Sequence, residues 1–171
     1  MKKREFIKLY DDFASRIHRF INLKINSVRD SEDLTSETFF KFWQRSRENR
    51  LNNVKIEYPR AMLYRIANNL VIDFYRKKSR KEVSLDPEDK TITKIKDRVD
   101  LVVKSNLSSD MEQIKTALAQ LKEEHQNAIV WRYLDELSAK EIAEVLGKSE
   151  GATRVLIHRA LNALKKKMAG K

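Results

Sequence analysis

The chain contains no cysteine, three glycines and two prolines in 171 residues. Without cysteine there can be no disulfide, no thiolate zinc site and no cysteine nucleophile. Gly and Pro, the latter only at 59 and 87, are too scarce to punctuate a many-stranded sheet. No segment alternates apolar and polar residues long enough to read as strand. An all-α fold is expected. Long apolar runs are missing too: the most apolar stretch, 61–75, carries Arg65, Asn68, Asn69 and Asp73, so no membrane insertion is expected. Met1-Lys2-Lys3-Arg4-Glu5 leads into an amphipathic pattern rather than an apolar signal core, which predicts a cytoplasmic protein. There is no glycine-rich phosphate loop and no nucleophile elbow. His18, His125 and His158 are far apart, which argues against a metal site. Glu32-Asp33 and Glu123-Glu124 sit near helix starts and read as dipole partners. Neither enzymatic chemistry nor a cofactor is expected.

Positive charge, in contrast, is abundant. Lys plus Arg number 36 against 25 Asp plus Glu, a formal excess of +11. Such an excess favours a polyanionic partner, because neutralising phosphates releases condensed counterions.

Helical periodicity divides the chain. Residues 4–26 place Phe6, Tyr10, Phe13, Ile17, Phe20 and Ile21 on one stripe. Ser31 is the expected cap of a second helix, with a polar loop from Ser46 to Glu57 after it. Pro59 then suits the first turn of a third helix. From Ser79 to about Asp110 the period dissolves among charged residues and serines. The expected architecture is two small helical domains, 1–80 and 110–171, joined by a flexible polar linker, 81–109.

The second domain carries the more specific signal. Ser138-Ala139-Lys140-Glu141 is a capping box, with Leu137 and Ile142 as its staple. Gly147 ends the helix and Ser149 caps the next. Ala152, Thr153, Leu156, Ile157, Ala160 and Leu164 should pack inward. Arg154, Val155, His158, Arg159, Asn162 and Lys165 should face out, as entry into a major groove requires. An ordinary hairpin with a solvated basic face is the bland reading, and the caps and turn argue against it.

On the helix from Pro59 the inward arc is Met62, Leu63, Ile66, Ala67, Leu70 and Phe74. Tyr64, Arg65, Asn68, Val71, Ile72, Tyr75 and Arg76 are expected outward, with Asn69 and Asp73 at the margin. Aromatics among cations suit unstacked bases and a phosphate backbone, and Arg76-Lys77-Lys78 extends the basic run. On the second helix Leu34 lies among Asp33, Glu37 and Lys41. A lone exposed leucine there needs no functional explanation, although a small protein-binding patch is the alternative.

Taken in order, these segments resemble the extracytoplasmic-function (ECF) sigma factors of bacterial RNA polymerase. Asp30 to Phe39 looks like the family's polymerase-binding helix, A-E-D-L-x-Q-E-x-F. Pro59 to Asp73 resembles its −10-contacting segment, P-x-x-W-L-x-x-I-A-x-N-x-x-x-D. Leu137 to Leu164 is similar to its −35-reading helix-turn-helix. The resemblance implies that Asp33, Leu34, Glu37, Thr38 and Lys41 bind polymerase. It implies that Tyr64, Arg65, Asn68, Asn69, Val71, Ile72, Tyr75, Arg76 and Lys77 hold the −10 strand. Ser149, Gly151, Arg154, Val155, His158 and Arg159 would then read the −35 duplex. The implied partners are promoter DNA, an anti-sigma factor, and core polymerase through a coiled coil of its largest subunit and its flap. Ser36, Met62, Lys122, Gln126 and the run Ala152, Thr153, Val155, Leu156 depart from the family pattern, which leaves the −35 base preference open.

A free coil of about 30 linker residues averages roughly 30 Å end to end. Drawn straight, it spans on the order of 100 Å, enough to bridge promoter elements a few helical turns apart. Two other readings remain at this point. A stand-alone helix-turn-helix regulator would explain the last third of the chain and would dimerise on a palindrome. A helical adaptor or RNA chaperone would need no sequence discrimination.

Overall fold

The computed structural model describes residues 1–25, 27–83 and 109–169. The expected linker, 81–109, lies almost wholly outside the described residues. Among those described, every regular element is helical: α1 (Lys3–Ile25), α2 (Val28–Leu51), α3 (Pro59–Val83), α4 (Ser109–Ala119), α5 (Glu123–Ile129), α6 (Ala139–Leu146) and α7 (Glu150–Ala169). Residues Val130–Leu134 continue α5 as a single π-turn.

Helix α2 begins earlier and ends later than its sequence suggests. Ser27, with φ −141°, is the cap, and its hydroxyl accepts from the Asp30 amide at 3.3 Å. Ser31 is instead buried one turn in, where its hydroxyl donates to the Ser27 carbonyl at 2.6 Å. Thr35 and Thr38 repeat this back-bonding at 2.6 and 2.7 Å, which lets hydroxyls sit in an apolar seam without orphaned donors. The expected loop from Ser46 shrinks to residues 52–58, because Ser46 is buried and α2 runs on to Leu51.

The N-terminal helices enclose Ile17, Phe20, Ile21, Phe39, Phe42, Leu63 and Ala67. In the C-terminal half, α4, α5 and α7 enclose Leu121, Ala128, Ile129, Leu156 and Ala160. The two halves do not sit apart. Trp131, Leu137, Ile142 and Val145 belong to the N-terminal core, and the Trp131 ring packs tilted against Phe20 with centroids 5.8 Å apart. Truncating a buried Trp of this kind typically costs about 3–5 kcal/mol, so this contact contributes heavily to holding the halves together.

Candidate nucleic-acid interface

The helix-turn-helix is built as its caps require. The Ser138 hydroxyl accepts from the Glu141 amide at 3.2 Å, and the Glu141 carboxylate accepts from the Ser138 amide at 2.9 Å. Leu137 and Ile142, the staple pair, are fully buried. Gly147 takes the left-handed conformation, φ 64°, that closes α6, and Lys148 N donates back to Ala143 O at 3.0 Å. Ser149 Oγ accepts from the Ala152 amide at 3.2 Å and caps α7. The turn is thereby locked by local chemistry.

On α7, Thr153, Leu156, Ala160 and Leu164 are buried, while Ala152, expected inward, is exposed. It sits in the first turn, before the helix has docked against its neighbours. Ser149, Gly151, Arg154, Val155, His158, Arg159, Asn162 and Lys165 are all exposed. Arg154 makes two contacts with Glu150, at 2.6 and 3.2 Å, but its side chain stays 69% exposed. Exposed pairs at this spacing contribute only about 0.3–0.5 kcal/mol, so the guanidinium can exchange Glu150 for a base edge at little cost.

Helix α3 divides differently from its expected arc. Arg65, Asn69, Ile72, Arg76 and Lys77 are exposed. Tyr64 and Val71, expected outward, are buried at 0% and 1%. Tyr64 packs its ring edge-on to Phe20 at 5.7 Å, and burial followed by the nearby Asp135 charge drives its hydroxyl well above the usual phenol range. Asn68 and Tyr75 are half-buried and engaged: Asn127 Nδ2 donates to Asn68 Oδ1 at 3.4 Å, and the Tyr75 hydroxyl donates to the Lys24 carbonyl. Lys24 itself is buried, which lowers its pKa against the opposing pull of Glu123, 3.6 Å away.

Asp33, Glu37 and Lys41 face solvent on α2, with Glu37 and Lys41 paired at 3.0 Å. Leu34 is only half-exposed and packs on the core. Thr38, expected on this face, is fully buried; its place on α2 is the inward side shared with Thr35 and Phe42. Around the other side of α2, Phe40, Trp43 and Phe39 line an open apolar groove of about 390 Å³ with Phe6, Ile7, Tyr10 and Lys3. Phe40 is 60% exposed there.

The structure also shows residues that periodicity missed. Arg16, Arg19 and Arg60 converge on the turn Leu134–Glu136. No local spacing announces such a contact, because its partners lie 75 or more residues apart. The one available hint was an acidic pair, Asp135-Glu136, in a run that is otherwise apolar but for Arg132.

Two family models match the chain: Sigma-70 region 2 over residues 9–81 and Sigma-70, region 4, over 111–164. The chain is 30% identical to the ECF RNA polymerase sigma factor SigW of Bacillus subtilis, over 95% of its own length and 88% of that protein. The chain belongs to the ECF sigma factors of RNA polymerase. It is also 30% identical to the ECF sigma factor BldN of Streptomyces coelicolor, of whose length it spans 58%. The sigma factor RpoE of Bartonella quintana, solved in complex with the anti-sigma factor NepR, shares the fold at 20% identity. The TM-score is 0.69, with 96% of this chain and 97% of that one covered. A sigma factor supplies promoter specificity to a polymerase, so no reactive centre is required of these helices. Among the described residues no helix is long and apolar enough to cross a membrane, and no cluster of three metal-binding side chains occurs.

Proposed function

We propose that this sigma factor works by dividing promoter recognition between its two helical units while both are seated on core polymerase in the cytoplasm. Arg154, His158 and Arg159 of α7 reach base edges of the −35 major groove. The Ser149–Gly151 start of the helix offers backbone amides to a phosphate there, and Val155 adds an apolar contact. Arg65, Asn69, Ile72, Arg76 and Lys77 of α3 hold the opened −10 strand, joined by Asn68 and Tyr75 once their present partners withdraw. Tyr64 and Val71 support that face from beneath. Asp33, Glu37, Lys41 and the edge of Leu34 dock on the polymerase, with Thr38 shaping α2 from within. The subdomains run approximately 1–80 and 110–171.

The observation that carries this reading is the solvent-facing cationic row on α7, placed by a capping box and a left-handed glycine. An anti-sigma partner is in keeping with it: RpoE of B. quintana was solved with NepR. The test is in vitro transcription with core polymerase on a promoter pool, with and without the chain. Selected initiation is expected only in its presence. Arg154→Ala should weaken promoter use about 5- to 150-fold, the loss of one base contact worth roughly 1–3 kcal/mol, while leaving retention by core unchanged. Identical initiation without the chain, or a tight palindromic footprint by the chain alone, would contradict it.

A further inference from the structure

The N-terminal domain carries a socket of three arginines. Arg16 and Arg19 come from α1, and Arg60 from the start of α3. The Phe13 ring lies behind Arg16 and Arg60, whose guanidinium carbons are 5.8 and 5.4 Å from its centroid. Into this socket fits the turn that leads to the helix-turn-helix. Arg19 Nη2 donates to Asp135 Oδ1 at 2.5 Å and to the Leu134 carbonyl at 3.4 Å. Arg16 donates to the Asp135 carbonyl at 3.2 Å and lies 3.7 Å from the Glu136 carboxylate. Arg60 donates to the Asp135 and Glu136 carbonyls, both at 3.1 Å.

This contact brings the Asp135 carboxylate to the Tyr64 hydroxyl, and it is continuous with the Asn127–Asn68 bond on the same face of α3. We propose that the arginine socket is a docking site for the chain's own Leu134–Glu136 turn, and that this contact is a latch holding the two halves closed in the free protein. The functional consequence rests on the reading above: Asn68, bonded to Asn127 in the closed form, joins the −10 face only once the latch releases. None of the three arginines is claimed by that reading for DNA or polymerase, so their convergence needs its own explanation.

Two features make the latch releasable. The seam is imperfectly paired: Trp131 Nε1 is buried without a hydrogen-bond partner, and buried Arg60 Nε has only the Glu141 carboxylate at 3.5 Å. Each costs the closed form part of its desolvation and returns it on opening. The Arg19 side chain is also 45% exposed although Asp135 beneath it is fully buried, so salt and competing anions reach the bridge from outside.

The test uses Trp131 as reporter in the full chain carrying Trp43→Phe, since these are the only tryptophans. Acrylamide quenching of Trp131 should be low in that parent and rise several-fold with Arg19→Glu, which sets a second negative charge against Asp135. Arg19→Lys should restore most of the protection. Helix content by circular dichroism should stay constant. An Arg19→Glu chain that stays helical with Trp131 equally protected overturns the latch. If Arg19→Glu loses helix, the parent titrated to about 0.5 M salt, where screening acts within a few ångströms, makes the same test: quenching must rise, and no rise overturns the proposal. In a parallel arm, core polymerase should retain Arg19→Glu at least as well as the parent. Weaker retention of the opened variant overturns the link from latch to function. Retention of neither chain sinks the sigma reading and leaves the quenching result standing.

Discussion

Glu136 sits at φ 57°, in the left-handed region where a Cβ is crowded by the backbone. It follows a π-turn and precedes the capping residue Ser138, so the chain reverses here in two residues. Replacing it with glycine should relieve about 1–2 kcal/mol of backbone strain, offset in part by glycine's entropy cost of about 0.5–1 kcal/mol and by loss of the half-exposed Arg16 contact. Thermal unfolding of Glu136→Gly is therefore expected at slightly higher temperature than the parent. A clear destabilisation would mean that the Arg16 contact outweighs the strain. Residue-level signals of this local kind were readable in advance: Ser138, Glu141, Gly147 and Ser149 act within three or four positions of themselves. Tyr64 was not readable. It packs on Phe20 and its hydroxyl meets Asp135, neither of them near in sequence, and periodicity alone placed it with Arg65 and Asn68 on the open side.

Among the elements, α7 and the π-turn show opposite kinds of legibility. The alternation along α7 assigns its buried and exposed faces almost throughout, because one stripe packs on α5 and α6 and the other meets water. The π-turn has no sequence period of its own. It brings Trp131 and Asp135 to the N-terminal domain, where burial raises the Asp135 pKa above the usual carboxylate range, against the opposing hydrogen bond and charge of Arg19 and the smaller effects of Tyr64 and Arg16. Arg16 and Arg19 face it from α1, and Tyr64 and Arg60 from α3; Glu136 and Glu141 are the acids on its own side. The sign follows directly. A carboxyl whose pKa is higher in the closed form takes up a proton on closing, so closure strengthens as pH falls from the raised value toward the ordinary one near 4. Above that window the cost of the buried charge is constant. Trp131 should become less quenchable on mild acidification, and Asp135→Asn should abolish that response while favouring closure at neutral pH. Neutralising the buried partner removes a desolvation cost, whereas removing Arg19 leaves the charge uncompensated. Looser closure in Asp135→Asn at neutral pH would reverse this assignment.

For the whole molecule, the sequence pointed to two tethered units, and the structure joins them through Trp131, the arginine socket, Lys24–Glu123 and Asn68–Asn127. That seam was illegible because its polar members each look like ordinary surface residues in their own helices. It combines a core-like apolar part, with Trp131, Leu137, Ile142 and Val145 buried in the N-terminal core, and a polar rim of bare carbonyls and half-exposed guanidinium groups. A chain closed alone must therefore open for its two halves to reach separated promoter elements. Absence of native cysteine makes this directly measurable, because two introduced at exposed Ser15 and Lys148 can be labelled without background. The decisive measurement is the distance distribution between those labels, in the free chain and in its complex with core polymerase and promoter. A single short distance that gives way to a long one on assembly is the predicted result. An unchanged short distance in a transcriptionally competent complex would contradict the account at its centre.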